Sequence, residues 1–145
     1  MKLIRGALKR WKDYSRLEQA VKEGAVPAAV TGLAGIHKCC LIASLCKETG
    51  RRALILAADE AEAQRFLEDL TSLGMRAVYY PLRDFTFRDT TSTSHEYERL
   101  RLEALSKLQG GECDCIIACM DAALQYTISP DQLKQRMFTL QAGDQ

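Results

Sequence analysis

The feature that most constrains this chain is an alternation. Short apolar runs recur between longer segments whose apolar residues fall at spacings of three and four, with glycine at the junctions. The run Ala53 to Ala57, ALILA, is apolar at every position, as in a parallel strand covered on both faces. Asp59 follows it as an N-cap, with Glu62 at the capping-box spacing. A helix then extends to about Leu73 on the stripe Ala63, Phe66, Leu67 and Leu70, and Gly74 closes it. Arg76 to Tyr80 and Asp114 to Cys119 read as further strands. Between them a helix runs from the Thr93–Glu96 capping spacing to about Leu108, with Leu100, Ala104, Leu105 and Leu108 inward. Asp121 opens a short helix, and Ser129-Pro130 starts another with proline at the first helical position. Phe138 to Leu140 reads as a last short strand.

The first part of the chain follows the same rule. Arg10 to Glu23 places Trp11, Tyr14, Leu17 and Val21 on one helical face before Gly24. Ala25 to Thr31 reads as a buried strand. Gly32 to Gly35 is a glycine turn, and Ile36 to Thr49 is a helix with Leu41, Ile42 and Leu45 inward. Strands alternating with helices predict βαβ units, a mostly parallel sheet and helices on both faces. The expected organisation is an N-terminal helix over residues 1–24 and one α/β domain over 25–145.

The length of 145 residues suits one such domain, and the 47% apolar content can fill its core. The net charge of +1 argues against a dedicated electrostatic clamp for nucleic acid. No apolar run approaches the ~18 residues of a spanning helix, so no membrane partner is expected. The basic stretch Met1 to Arg10 is not followed by an apolar signal core. The six cysteines are therefore read as reduced thiols of a cytoplasmic protein.

One motif carries chemistry. The expected strand at 25–31, its glycine turn and the following helix form the context of a phosphate-binding loop, G-x-x-x-x-G-K-[ST]. This chain reads Gly32-Leu33-Ala34-Gly35-Ile36-His37-Lys38-Cys39. The first glycine and the lysine are in place. His37 replaces the second glycine, where a side chain intrudes on the phosphates. Cys39 replaces the hydroxyl, and a soft thiol suits Mg²⁺ poorly. The expectation is a vestigial loop without catalysis, with weak anion binding at the helix N-terminus and a working ATP site as alternatives. Asp59 and Asp121 stand at strand ends, but each occupies a helix-capping position rather than a Walker B pair.

The segment Val30 to Lys38, the stretch ALILAADEAEAQRFLEDL, the pair Tyr80-Pro81, and EYERLRLEALSKL followed by DCIIACMDAALQ and SPDQL resemble the N-terminal region of bacterial transcription-repair coupling factors (Mfd). The resemblance covers roughly residues 10 to 140. It implies a three-layer, P-loop-like fold related to the first domain of the excision-repair subunit UvrB, here as an incomplete fragment. UvrB itself has an intact phosphate loop and a long aromatic hairpin after the third strand. Only Pro81 to Thr93 stands there in this chain, which favours the coupling factor.

The family resemblance implies a scaffold segment, not an enzyme by itself, within an ATP-dependent DNA translocase. That translocase displaces stalled RNA polymerase and recruits UvrA for nucleotide excision repair. It implies UvrA as partner through the full module, and RNA polymerase and DNA through other domains. It implies no cofactor for this segment, and ATP and Mg for the parent motor. The alternative is an ATP-binding helicase-type domain related to UvrB with a working loop.

The remaining features have plainer readings. Cys113, Cys115 and Cys119 read as small buried hydrophobes, since C-x-x-C metal spacings are absent. A helix dipole would lower the thiol pKa of Cys39 and Cys40, but no partner base is in view. No metal site is expected. Arg99 and Arg101 read as a solvated helix face. The loop residues Asp84, Phe85, Phe87 and Arg88 either pack over the sheet edge or contact a partner.

Overall fold

The computed structural model describes residues 2–25, 27–83 and 96–137. Its elements are α1 (Lys2–Lys9), α2 (Lys12–Glu23), α3 (Ile36–Thr49), β1 (Ala53–Ala57), α4 (Glu60–Ser72), β2 (Ala77–Tyr80), α5 (Glu96–Gln109), β3 (Cys115–Cys119), α6 (Met120–Leu124) and α7 (Pro130–Arg136). The three described strands form a parallel sheet in the order β1-β3-β2. Ala53 is in register with Cys115 on one side, and Ala77 on the other. All five residues of β3 are buried, which is why this run is apolar throughout.

The two faces of the sheet build separate cores. Cys39 and Ala43 of α3 and Ala63 and Leu70 of α4 pack on Ile55, Ala57, Cys115 and Ile117. Ala104 of α5 and Ala122 of α6 pack on Tyr80, Ile116 and Ala118. The small residues of β3 let helices approach from both sides. Helix, sheet and helix thus make the three layers of an α/β fold.

The capping signals at Asp59 and Ser129 hold, while Thr93, the cap expected before Glu96, lies outside the described residues. Asp59 accepts a hydrogen bond from the Glu62 backbone N–H at 2.7 Å, and Glu62 Oε2 accepts one from the Ala58 N–H at 2.9 Å. The capping box is therefore closed in both directions. Ser129 Oγ accepts from the Gln132 N–H, with Pro130 at the first helical position. Asp121 does not cap α6. The helix starts one residue earlier, and the Cys119 sulfur accepts from the Ala122 N–H at 3.4 Å.

Two expectations fail in the N-terminal third. The single helix over 1–24 is two helices, broken at Arg10 and Trp11. Trp11 has extended backbone at the N-cap of α2 and is 43% exposed, off the apolar stripe on which Tyr14 is buried. Arg5 and Lys9 of α1 both pair with Glu48, tying α1 across the end of α3.

The segment at 25–31 is not a strand. Pro27 and Ala28 to Thr31 are exposed and carry no ladder, while Val26 lies outside the described residues. An apolar run becomes a strand only when a partner lies alongside to take its backbone groups. Pro27 offers no N–H. Ala25 gives its own N–H to Ala20, closing α2. The expected strand at Phe138 to Leu140 also lies outside the described residues.

Candidate functional site

Gly32 and Gly35 adopt positive φ angles of 80° and 43°, so the turn before α3 requires glycine at both positions. From this turn α3 begins with Ile36, His37 and Lys38, all exposed. The N-terminal part of α4 faces it. Gly35, Lys38 and Cys39 line a cleft of about 280 Å³ with Glu62, Arg65, Phe66 and Asp69 of α4.

The chemistry of this cleft differs from that of a phosphate site. Lys38 Nζ lies 3.8 Å from Glu62 Oε1, the carboxylate that also closes the α4 capping box. Cys39, at the hydroxyl position, is buried and donates its S–H to Asp69 Oδ2 at 3.7 Å. Burial first, and the neighbouring Asp69 carboxylate second, push the Cys39 thiol up to about 11. The expected lowering by the helix dipole is thus overturned, because desolvation of the thiolate outweighs it. Two cations, Lys38 and Arg65, face two carboxylates, Glu62 and Asp69. A triphosphate entering here would meet both carboxylates, and the sulfur aimed at Asp69 cannot serve as a hard ligand for Mg²⁺. The arrangement does not fit a magnesium nucleotide.

The other thiols follow the plain reading. Cys113, Cys115 and Cys119 are buried, all six cysteines are free, and burial pushes the Cys115 thiol up to about 12. Among the described residues no three His, Cys, Asp or Glu side chains are placed to hold a metal ion. The loop residues Asp84, Phe85, Phe87 and Arg88 lie outside the described residues.

A second corner at the same end of the sheet went unread in the sequence. Arg101, expected on a solvated face, is only 5% exposed. Its Nη1 donates to Pro81 O at 2.8 Å, to Gln125 Oε1 at 3.1 Å and to Ala122 O at 3.5 Å, and its Nη2 to Tyr126 O at 3.4 Å. Its guanidinium sits 4.0 Å from the centroid of the Tyr80 ring. Gln125 continues the network, accepting from the Arg83 N–H and donating to Arg83 O. Tyr80 donates its hydroxyl to Thr127 Oγ1 at 2.9 Å. Arg101 therefore ties the end of β2 to the chain leaving α6. The signal was present: Arg101, Ala104, Leu105 and Leu108 share the spacing of one buried stripe.

With this geometry the chain was compared with known proteins. It is 24% identical over 143 residues to the transcription-repair-coupling factor of Bacillus subtilis (strain 168). The chain is similar to a coupling factor along nearly its whole length. The match takes in 97% of this chain and 12% of the relative, so the chain spans about an eighth of that protein. No family model matches the chain, and no solved structure matches it. No described helix is long and apolar enough to cross a membrane.

Proposed function

We propose that this chain is the N-terminal, non-catalytic part of a transcription-repair coupling factor, a UvrB-like scaffold that supports recruitment of UvrA. The similarity to the Bacillus subtilis protein supports the family. The observation that carries the non-catalytic reading is the pairing of Lys38 with Glu62 and of Cys39 with Asp69. The lysine and the hydroxyl position of the phosphate loop are both turned toward carboxylates of α4. RNA polymerase, DNA, ATP and Mg belong, in this reading, to other domains of the parent protein, which acts in the cytoplasm.

Calorimetric titration of the chain with Mg-ATP tests the first half. The expected result is no binding at about millimolar nucleotide; a dissociation constant in the micromolar range, which at about a hundredfold excess would add ~2.7 kcal/mol of stability, would overturn it. Binding or Mg-dependent hydrolysis that disappears in Lys38→Ala would instead establish the ATP-binding helicase-type alternative. Co-purification of UvrA with the full parent protein, lost when this segment is deleted, tests the second half.

A further inference from the structure

One carboxylate ties α1 to the end of α3. Glu48 Oε1 accepts from Arg5 Nε at 2.9 Å and from Arg5 Nη2, and Glu48 Oε2 lies 3.1 Å from Lys9 Nζ. The Glu48 side chain is 13% exposed, so the clamp is largely withdrawn from solvent.

Apolar burial adds little to it. Ile4 and Leu8 are half-buried, Leu3 is 90% exposed, and no described side chain of α1 is fully buried. Eight residues are too few for a helix to persist alone in water, so α1 keeps its form only while docked. After Lys9 the chain leaves helical geometry. Trp11 has φ −91° and ψ 118° before α2 begins, which separates the two helices by a hinge.

Two hydroxyls next to the clamp oppose it. Tyr14 of α2 and Ser44 of α3 are buried, and neither hydroxyl has a hydrogen-bond partner among the described residues. Burial first, then the charges of Glu18 and Glu48, push the Tyr14 hydroxyl up to about 12, and Arg5 works against them, so the clamp lies beside it. Ser44 stands one helical turn before Glu48 on the same face of α3. A buried hydroxyl without a partner forfeits the hydrogen bonds that water gave it. The closed position of α1 therefore carries a cost that its opening relieves.

We infer that α1 is a latch, hinged at Arg10 and Trp11, closed by the Glu48 carboxylate, and biased toward opening by the waterless hydroxyls of Tyr14 and Ser44. Opening hydrates both hydroxyls and uncovers Ile4, Leu8 and the seam between α2 and α3. The sheet and its two cores stay as they are, because they hold no residue of α1. The latch is a local unit of lower stability than the rest of the fold.

Native-state hydrogen exchange of the chain, resolved by peptide, tests this. Relative to their unprotected rates, the amides of α1 should exchange at least about a hundredfold faster than those of β3, and dilute urea should leave the α1 rate unchanged. Glu48→Gln and Arg5→Gln should each speed α1 exchange about tenfold with β3 unaltered. Tyr14→Phe should act the other way and slow α1 exchange several-fold, since it removes the hydroxyl and keeps the ring. Ser44→Ala should slow it as well. Amides of α1 that open only with the whole molecule overturn the inference in the unsubstituted chain, whatever the variants do. So does a Glu48→Gln effect of equal size in α1 and β3, or a Tyr14→Phe chain whose α1 exchanges as fast as before or faster.

Discussion

Two corners at the same end of the sheet hold a cation, and they are built in opposite ways. At the corner between α3 and α4, Lys38 stands in a recognisable motif, is half-exposed, and is answered by one carboxylate at 3.8 Å. At the corner between β2 and α6, Arg101 stands in no motif, is buried, and is answered by four neutral oxygens and an aromatic face. The motif marks a place where chemistry is expected. The burial marks where the fold depends on a charge. In this chain the two have separated, and the named lysine is the less consequential of the pair.

That contrast breaks first if Arg101 proves dispensable. Arg101→Ala leaves Pro81 O and Tyr126 O without the guanidinium donor, takes one of two donors from Gln125 Oε1, and should cost about 3 kcal/mol, read as a lower urea midpoint. Arg101→Lys should recover little, because one ammonium cannot reach acceptors on both sides of the guanidinium fork. A loss below about 1 kcal/mol would put Arg101 on a level with the motif lysine.

The buried thiol of the motif corner supplies the next largest effect. The Cys39 pKa is raised to about 11 from its ordinary 9.0, so the native state holds its proton where the unfolded chain has lost it. Its contribution is complete below pH 9 and disappears as pH rises through about 11. Unfolding under reducing conditions should show a loss on the order of 2 kcal/mol across that window, with Cys115 and Tyr14 extending it toward 12. Cys39→Ala should flatten the lower part of the curve.

Removing the α4 cap by Asp59→Ala should cost ~1 kcal/mol, and Asp59→Asn much less. This sharpens the comparison, because Asp59 and Glu62 would then serve the motif corner as helix-capping groups rather than as ligands. Smallest of all, Lys38→Ala should change stability by under about 0.5 kcal/mol, since the pair is loose and solvated. A larger loss would show that Lys38 does structural work hidden by its exposure.

Much of the architecture was legible in the sequence, for physical reasons. The runs ALILA and CIIAC are apolar at every position, as expected of strands between two helical layers, and CIIAC is buried throughout. In ALILA Ile55 and Ala57 are buried but Leu54 and Leu56 are exposed, so among the described residues the cover expected on both faces is found on one. Asp59, Ser129 and the glycines declare their helix boundaries through local hydrogen bonding and positive φ. The misreading at 25–31 has the opposite cause, since a strand is completed by a neighbour distant in sequence. Cys119 took the cap expected of Asp121 because α6 starts directly from the end of β3. Arg101 was misread because its residue type was weighed above its place on the stripe. At the loop site, the substitutions His37 and Cys39 were readable letter by letter. The partners that answer Lys38 and Cys39, Glu62 and Asp69, were not, because α4 reaches them only through the fold.

The strand order has a consequence for how such a chain is made. β1 and β2 never touch as a pair, since β3 lies between them. No sheet can close until Cys119 has left the ribosome, about 60 residues after Ala57. At roughly 5 to 20 residues per second, ALILA waits some 3 to 12 s during synthesis with both of its edges open. Through that interval the apolar run can be shielded only by the helices already made, or by a chaperone.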